Sequence, residues 1–481
     1  KLIQAKMADQ TEARDVTMFT PPIVRSAATT LNKALFTKKF NLAAASVREA
    51  TKISLYRKAL EKTGDALHVE RVSVVRNDPG QNPATKGRKC ILLRPGIEAA
   101  VPETWGSVVS EGVKKDDLAV IPYELTLDYD HWNAHEILSS FLPEEFADDI
   151  QSSFNFAGHV AHLNLRDQFL PYKQVIGQVL CDKNPAVRTV INKTRNVGDT
   201  SEFRTFAYEV LAGPDDLNIV VRENNCVFKL DYSKVYWNTK LEPEHTRMIK
   251  EFQPGEVVAD AMAGIGPFAV PAGKKGVFVW ANDKNPESYK YLQEAIKTNK
   301  VAPFVRAYNE DALQFIRGAA DSVLAAHAAG QGVTLPGPKV KRNDSDSAAA
   351  VKSQQGPAPN TRVLVPPTIS HYVMNLPASA ISFLPAYRGL YHGHEKLFAP
   401  HTSTRLPLIH AYCFDIKSDT DEPKHSVVQR VVAELGVEMK LGDRDGDNEV
   451  EVLHVREVAP NKTMYRATFR LPREVAFAKR E

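Results

Sequence analysis

A glycine-rich turn that follows an acidic residue is the strongest chemical motif in this 481-residue chain. In the segment VVADAMAGIGPFAV, an apolar stretch ends at Asp260, and Gly264 and Gly266 precede Pro267. Glycines in this position allow a tight turn and let the backbone approach a ligand, and proline suits the first turn of a helix. The motif therefore predicts a strand, a ligand-binding turn and a helix.

Two further acidic residues follow the next predicted strands. Asp283 comes 19 residues after Gly264, where a carboxylate can accept hydrogen bonds from both hydroxyls of a ribose. Asp311, in YNEDALQF, ends the strand after that and can face the amino group of an adenine. Acids at these strand ends are typical of a site that binds an adenosine nucleoside.

More than one adenosine cofactor fits this pattern. With Ala269, the glycine spacing also satisfies the loose G-x-G-x-x-[GA] dinucleotide fingerprint, so NAD is an alternative. A glycine turn that merely connects a strand to a helix is another, but the two downstream acids disfavour it. The carboxylate of Asp260 would repel a pyrophosphate, whereas it tolerates a sulfonium or a zwitterionic methionine tail. The residues therefore favour S-adenosylmethionine.

A third motif, Asn375-Leu376-Pro377, follows the candidate fourth strand of the same region. Open α/β sheets bind their ligands at the carboxyl ends of strands, where an amide can hold the planar edge of a base. The motif is similar to the Asn-Pro-Pro-Tyr motif of enzymes that methylate exocyclic amines of adenine. Here Leu376 replaces a proline and no aromatic residue follows Pro377, so we expect a different base atom to be the target.

Strands and helices alternate from Tyr236 onward, which predicts a parallel sheet covered on both faces. The seven candidate strands lie in GEVVADAMAG, GVFVWAND, FVRAYNEDA, ISHYVMNLP, RLPLIHAYCF, EVEVLHVREVAP and TMYRATFRLP, and ESYKYLQEAIKTNK is a helix among them. We place this domain at residues 233–481. A stretch rich in Ala, Gly, Ser, Pro and Lys at about 318–361 predicts a disordered insertion in it.

The part of the chain before residue 233 divides into three segments. Residues 1–17 are polar and of mixed charge, which indicates a disordered leader. In residues 18–119, the helical-looking stretch LNKALFTKKFNLAAASVREATKISLYRKALEK precedes strand-like HVERVSVVRN and CILLRPG, so we expect a small α/β domain. In residues 120–232, the β-branched runs KQVIGQVL, TVINKT, FRTFAYEVLAG and LNIVVRENNCVFKLD predict a β-rich middle domain.

Charge and cysteine content exclude several classes of protein. The net charge is only +3, but residues 1–65 hold 12 basic against 6 acidic residues, so the basic excess is N-terminal. The chain has 4 cysteines and no CxxC pair, which disfavours a zinc site or a disulfide framework. With no run of 18 apolar residues and no signal-like N-terminus, we expect neither a membrane span nor secretion.

Several motifs, in their order along the chain, resemble one family. They are AGHVAHLNLRDQFLPYK, NKT, SEFRTFAYEVLAG (GEFRTFAYEVLAG in the family), KVYWNTKLEPEHTRM, DAMAGIGPFAVPAG and MNLP. The family is that of the archaeal and eukaryotic tRNA (guanine-37-N1)-methyltransferases, and the match runs from about residue 18 to the C-terminus. Because several specific motifs agree in order, chance similarity is a poor explanation. The low-complexity insertion is typical of a fungal member.

This resemblance implies an α/β fold: a class I (Rossmann-like) S-adenosylmethionine methyltransferase domain with a mixed seven-stranded sheet, preceded by a small α/β N-terminal domain and a β-rich middle domain. It also implies catalytic roles. Arg204 matches the arginine of the FR motif, and Glu244 matches the glutamate after the Leu-x-x sequence. The family often has Ser-Pro-Arg-Leu before that glutamate, where this chain has residues 238–241, NTKL, so these side chains receive no role.

The chemistry of guanine suits these assignments. N1 carries a proton at neutral pH, so a base such as Glu244 must remove it before methyl transfer. The negative charge then spreads onto O6, where the guanidinium of Arg204 can stabilise it. Asn375 would also be catalytic, by positioning the base edge or the carboxylate. Pro377 would contact the base, and Tyr236 would stack on base or cofactor. The expected cofactor-binding residues are Tyr236, Asp260, Gly264, Gly266, Asp283, Asp311 and Asn375.

Each role has a plainer alternative. Arg204 can be the partner in a salt bridge, and Glu244 can be a carboxylate that interacts favourably with the dipole at a helix N-terminus. Glu242 is a nearby alternative candidate for the base. His159 and His162 are expected to be structural. At the level of the protein, the alternative reactions are methylation of another RNA base and transfer of an aminocarboxypropyl group in wybutosine synthesis. A catalytically silent tRNA-binding protein is a further alternative.

The resemblance also predicts the partners. We expect tRNA as the substrate, S-adenosylmethionine as the cofactor, no metal, no membrane, and a monomer. The N-terminal domain is expected to recognise the shape of tRNA, because its basic excess carries no base-reading motif. We expect a cytoplasmic enzyme, with the mitochondrial matrix and the nucleus as alternatives, although acids at positions 9, 12 and 15 make a poor transit peptide.

Overall fold

The structure is a computed structural model that describes residues 19–25, 30–80, 87–149, 154–194, 203, 205–336, 360–442 and 449–480. The predicted leader, residues 1–17, therefore lies outside the described residues. The chain divides into two compact units. Unit 1 comprises Lys1–Asn155, Leu163–Asn192 and Val210–Pro214, and unit 2 comprises Phe156–His162, Lys193–Glu209 and Asp215–Glu481.

Unit 1 contains an antiparallel sheet of order β2-β3-β1-β4, formed by β1 (Lys38–Val47), β2 (Val75–Asn77), β3 (Lys89–Leu92) and β4 (Leu118–Leu127). Strands β2 and β3 confirm the two predicted strands. The helical prediction was wrong for β1, whose sequence KKFNLAAASV is helix-prone but is buried along most of its length between two neighbouring strands. Strand β4 pairs with β1 along ten residues, so the predicted boundary at residue 120 cuts through this sheet.

The helices of unit 1 are α1 (Ile53–Thr63), α2 (Ser107–Lys114), α3 (Ala134–Phe141) and α4 (Lys173–Lys183). The segment KQVIGQVL, predicted as a strand, belongs to α4. Its apolar residues Val175, Ile176, Val179 and Leu180 are buried at helical spacing, and this spacing outweighed the preference of β-branched residues for strands.

Short strands follow where the chain passes between the two units. They are β5 (Asn155–Ala157), β6 (Val160–Leu163), β7 (Thr189–Lys193) and β8 (Tyr208–Ala212). In unit 2, β9 (Asn218–Glu223) and β10 (Cys226–Asp231) form a hairpin. Its two turn residues, Asn224 and Asn225, both have positive φ, as a type I′ turn requires. Strands β7 to β10 confirm three predicted β-rich runs.

The other elements of unit 2 build one large layered domain. Its strands are β11 (Val257–Asp260), β12 (Phe278–Asn282), β13 (Val305–Tyr308), β14 (Gly332–Leu335), β15 (Thr361–Leu364), β16 (His371–Met374), β17 (Leu408–Ile416), β18 (Glu451–Ala459) and β19 (Lys462–Arg470). Its helices are α5 (Glu242–Glu251), α6 (Ala269–Lys274), α7 (Pro286–Thr298), α8 (Ala312–Ala328), α9 (Glu422–Leu435) and α10 (Arg473–Ala476). The 3-10 helices of the described chain are Lys33–Phe36, Ala50–Lys52, Pro102–Thr104, Glu144–Asp149, Asp167–Tyr172, Thr239–Leu241, Ala380–Tyr387 and Glu395–Leu397.

Seven of these strands form a mixed sheet of order β13-β12-β11-β16-β17-β19-β18, which confirms the predicted seven-strand count and each predicted strand. All neighbours are parallel as far as β17, and β19 runs antiparallel to both β17 and β18. The chain builds outward from β11 through β12 to β13 and then returns to place β16 on the other side of β11. A ligand site is expected at this switch point, beyond the carboxyl ends of β11 and β16.

The insertion predicted at about residues 318–361 is smaller than expected. Helix α8 continues to Ala328, and β14 pairs antiparallel with β15, so the prediction of disorder was wrong for residues 318–336. The stretch is poor in aromatic residues, but it continues helix α8, in which Phe315, Ile316 and Val323, together with alanines, form a buried face at helical spacing. Residues 337–359 lie outside the described residues.

Candidate nucleoside and base site

A cavity of about 340 Å³ opens in unit 2 at the carboxyl ends of the central strands. Five of the predicted site residues line it: Tyr236, Gly264, Asp283, Asp311 and Asn375. The cavity therefore joins the glycine-rich turn after β11, the acids after β12 and β13, and the amide after β16. Parallel strands with a common direction bring these separate sequence motifs to one edge of the sheet.

The two glycines of the turn have different tasks. Both have positive φ, +56° at Gly264 and +94° at Gly266, where side chains are strained. Apart from Gly264 itself and its two chain neighbours, no described residue has an atom within 4 Å of a Cβ built on Gly264. This glycine lines the cavity and therefore leaves space for a ligand. A Cβ on Gly266 would lie 2.7 Å from Leu292 and 2.8 Å from Val270, so this glycine allows helices α6 and α7 to pack.

Asp283 is tied to the glycine turn. Its Oδ2 accepts a hydrogen bond from the backbone N–H of Gly264 at 2.8 Å, and its Oδ1 accepts one from Asn285 at 2.9 Å. Burial raises the pKa of Asp283 above its usual range, although these N–H groups act in the opposite direction. Each carboxylate oxygen can accept a second hydrogen bond, so Asp283 retains the capacity to bind ribose hydroxyls.

Asp260, the last residue of β11, is fully buried and does not itself line the cavity. Within the described residues, neither carboxylate oxygen makes a hydrogen bond of normal geometry. Burial, reinforced by the charge of Asp283, raises the pKa of Asp260 to about 8. A fully buried acid, one residue from the cavity wall at Ala261, fits a ligand that brings positive charge. The ammonium and sulfonium groups of S-adenosylmethionine meet that requirement.

Asp311 caps helix α8, because its Oδ1 accepts a hydrogen bond from the N–H of Leu313 at 3.0 Å. Its Oδ2 lies 3.4 Å from Nζ of Lys284, which also lines the cavity. The cap holds the carboxylate at the cavity wall, in a position compatible with the predicted contact to an adenine amine.

A second group of lining residues is suited to a planar base. Asn375 and Leu376 line it, together with Phe383 from the 3-10 helix Ala380–Tyr387 and Tyr236. Pro377, predicted to contact the base, does not line the cavity, and its carbonyl accepts a hydrogen bond from Phe414 at 3.2 Å. The structure therefore gives Pro377 a role in shaping the turn, and Phe383 is an aromatic residue that the motif comparison missed.

Glu244 is placed differently from the cavity residues. It lies in the first turn of α5, is 3% exposed, and does not line the cavity. Its Oε1 accepts hydrogen bonds from Tyr412 at 2.8 Å and Arg466 at 3.1 Å, and its Oε2 accepts one from Arg247 at 2.7 Å. Two guanidinium groups therefore contact this one carboxylate. No sequence motif identified Tyr412 or Arg466 as a contact of Glu244.

Two other predicted residues fall outside this arrangement. Arg204 lies outside the described residues, although its neighbour Phe203 lines the cavity. Gly266 does not line the cavity and acts through packing, as described above. The residue after Glu244, His245, does line the cavity, and its Nδ1 lies 2.5 Å from buried Glu223. The sequence points to His245 only through its position beside Glu244 in the same helix.

Comparisons with known proteins agree with this geometry. A family model described as the TRM5/TYW2 methyltransferase domain matches residues 219–331, and a TYW2 N-terminal domain model matches residues 134–216. The tRNA (guanine(37)-N(1))-methyltransferase of Neurospora crassa is 55% identical over 469 residues, which cover 98% of this chain and 97% of that protein. The protein of the same name from Saccharomyces cerevisiae is 39% identical, with 95% of each chain covered.

Solved structures support the fold. Trm5b from Pyrococcus abyssi is 21% identical and superposes with a TM-score of 0.53, covering 89% of this chain and 99% of that one. A complex of aTrm5 with tRNALeu is 18% identical and has a TM-score of 0.57, with 90% and 100% covered. Within the described residues, no helix is long and apolar enough to cross a membrane, and no group of three metal-ligating side chains could hold a metal ion.

Proposed function

The chain belongs to the tRNA (guanine(37)-N(1))-methyltransferase family, and from this membership we propose how its residues divide the work of the reaction. The enzyme transfers the methyl group of S-adenosylmethionine to N1 of guanine 37 in tRNA. The proposed division depends on one observation. The acids that are suited to bind an adenosine line the same cavity as the amide that is suited to bind a base. The methyl donor and its acceptor can therefore meet within it.

The cofactor supplies an electrophilic methyl group on a positively charged sulfur. In our proposal, Asp283 accepts hydrogen bonds from its ribose hydroxyls, and Asp311 contacts the adenine amine. Gly264 leaves room for the ligand because no side chain fills the space beside its Cα. Asp260 attracts the positive charge through the low dielectric of the cavity floor. These four residues bind and orient, and they take no part in the proton transfer.

Glu244 is the proposed general base. A carboxylate can accept a proton as a general base, and the two oxygens of this one are held in place by Arg247 and Arg466. The proton of guanine N1 goes to this carboxylate. The electron pair left on N1 then forms the bond to the methyl carbon, whose bond to sulfur breaks with its electrons remaining on sulfur. The reaction therefore needs no redox partner.

Arg204 and Asn375 are the proposed partners of the base. As N1 loses its proton, negative charge develops on O6, and the guanidinium of Arg204 would donate charge-assisted hydrogen bonds to it. Asn375 lines the cavity at the end of β16 and would hold the edge of the guanine. A positioned donor of this kind contributes about 3 to 4 kcal/mol to transition-state stabilisation.

The test compares tRNA transcripts with guanine or adenine at position 37. The purified protein is incubated with labelled S-adenosylmethionine, and the modified nucleoside is identified by mass spectrometry. We expect N1-methylguanosine from the guanine transcript alone. A product that carries an aminocarboxypropyl group would instead show the second reaction considered above, and cofactor binding without any product would indicate a silent tRNA-binding protein.

The role of Glu244 is tested with Glu244→Gln, which preserves the side-chain volume. We expect the single-turnover rate to fall by about 10²- to 10⁴-fold, because the amide cannot accept the N1 proton. Glu242→Gln is the matched control: Glu242 lies in the same turn of α5, is exposed, and was the rival base. Binding of tRNA and cofactor should persist in both variants. Equal rates for Glu244→Gln and the wild type would refute the assignment.

Three further properties remain proposals. We propose that basic residues of the N-terminal region contact the phosphates of tRNA, because residues 1–65 carry twice as many basic as acidic side chains. A monomer without a metal suffices for the scheme, since one chain supplies every proposed group. The cytoplasm is the proposed compartment, with the mitochondrial matrix and the nucleus as the alternatives.

A further inference from the structure

The two oxygens of Glu244 have partners of very different kinds. Oε1 is bound by Tyr412 and Arg466, whose side chains are almost completely buried, Arg466 being 1% exposed. Oε2 is bound by Arg247, whose side chain is 44% exposed. One oxygen is therefore anchored in the interior of unit 2, and the other is held by a side chain that reaches solvent.

Strand pairing fixes the two interior donors. Tyr412 on β17 and Arg466 on β19 are directly opposite each other in the antiparallel register. Both can therefore reach the same carboxylate oxygen from adjacent strands. Burial, together with the charge of Glu244, raises the pKa of Tyr412 well above its usual value of 10, so its hydroxyl keeps its proton and donates.

Other charged groups near Glu244 leave this arrangement intact. Glu251, about two helical turns further along α5, accepts a hydrogen bond from the second Nη of Arg466 at 2.6 Å. His245 is turned to Glu223 and not to Glu244. The aromatic ring of Tyr412 also stacks on Phe268, which lines the cavity, with centroids 6.1 Å apart. The anchor is therefore packed against the cavity wall.

We propose that Tyr412 and Arg466 are positioning residues that hold Oε1 of the general base, so that Oε2 is the oxygen that accepts the N1 proton. In this arrangement Arg247 occupies Oε2 until the substrate base takes its place. Arg247 is suited to leave because its guanidinium can be solvated or can contact a tRNA phosphate. This inference rests on the proposed role of Glu244 and assigns its two oxygens separate tasks.

The experiment measures the single-turnover rate of methyl transfer against pH for the wild type and Tyr412→Phe. Excess enzyme separates the chemical step from product release. Phenylalanine keeps the ring and removes only the hydroxyl that donates to Oε1. A carboxylate that loses a hydrogen bond to its charged form has a higher pKa. We expect the acidic limb of the profile to move up by about one pH unit, which lowers the rate below the limb about tenfold.

Tyr387→Phe is the matched control. Tyr387 is also buried in unit 2, and its hydroxyl makes no hydrogen bond within the described part of the chain. This variant removes the same atom from the same kind of environment without touching Glu244. We expect its pH profile to match that of the wild type. Both variants should remain folded at the assay temperature and bind the cofactor with the affinity of the wild type, which excludes loss of the fold as the cause.

Arg466→Lys provides a second measurement. Lysine keeps the positive charge but cannot bridge Glu244 and Glu251 with two separate nitrogens, so the acidic limb should again move up. Unmoved limbs in Tyr412→Phe and Arg466→Lys, with Glu244→Gln inactive, would overturn the anchoring proposal and leave Glu244 as the base. An active Glu244→Gln would overturn the role of Glu244 itself. The two failures are therefore distinguishable.

Discussion

Asp260→Asn should change the pH dependence of stability in a predictable way. The carboxyl group is fully buried without a hydrogen bond of normal geometry, and its pKa is raised from 3.8 to about 8. Between these values the folded protein binds a proton that the unfolded chain has lost. Stability of the ligand-free wild type must therefore fall as pH rises through this window, by about 1.4 kcal/mol per pH unit from this one group.

Asparagine has a similar shape but no titratable proton. The free energy of unfolding of Asp260→Asn, relative to the wild type, should therefore increase by about 3 kcal/mol between pH 5 and pH 7. Denaturant unfolding of both proteins at each pH measures this difference, in which the titrations of all other groups largely cancel. A difference that does not change with pH would refute the assignment of a protonated acid beneath the cavity.

The protonation of Asp260 should also change when the cofactor binds. At pH 7 a carboxyl group with a pKa of about 8 is about nine-tenths protonated. If the positive charge of the cofactor lowers this pKa, binding releases nearly one proton, which calorimetry in two buffers of different ionisation enthalpy detects. Asp260→Asn should release none. S-adenosylhomocysteine, which lacks the sulfonium charge, separates the effect of the sulfur from that of the ammonium. Equal proton counts for the wild type and the variant would contradict this reasoning.

The other predictions concern the walls of the same cavity. Asp283→Asn should weaken S-adenosylmethionine binding by about 30-fold in calorimetry. The amide loses the charge that strengthens hydrogen bonds from ribose hydroxyls, and it presents an N–H group to the N–H of Gly264 or Asn285. Asp321→Asn is the control: Asp321 pairs with Arg480 at the surface, so this variant should bind the cofactor normally. Gly266→Ala should lower the free energy of unfolding by about 2 to 4 kcal/mol, since its Cβ would meet Leu292 and Val270 below 3 Å at a positive φ. Gly264→Ala, strained but without a close neighbour, should lower it by only about 1 kcal/mol, and equal losses in the two glycine variants would contradict the packing argument.

Much of the methyltransferase domain was predictable from local pattern. Its parallel strands are short apolar runs that end at polar residues, and each of the seven was found where the sequence placed it. The carboxyl ends of parallel strands share one edge, so Asp283, Asp311 and Asn375 could be assigned to a common site before any contact was known. A positive φ requires glycine, which made the turn at Gly264 and Gly266 recognisable.

The N-terminal part was harder to predict because the secondary-structure preferences of its residues conflict with the structure in which they are buried. The alanine-rich segment Lys38–Val47 has the composition of a helix, but two neighbouring strands satisfy its backbone hydrogen bonds and bury its side chains. Helix α4 shows the reverse, since its β-branched residues favour a strand while their spacing builds a buried helical face. In both segments burial decided the structure, and burial depends on parts of the chain that local composition does not describe.

The partners of Glu244 depended entirely on the tertiary structure. The resemblance to the family, in which a glutamate follows the Leu-x-x sequence, identified this residue as the candidate base. Its hydrogen bonds, however, reach Tyr412 and Arg466, which are 168 and 222 residues away in the chain. Those contacts exist because β17 and β19 pair in one antiparallel register and α5 packs beside them. A shift of one residue would turn Tyr412 or Arg466 to the other face of the sheet, and no local sequence pattern specifies that register.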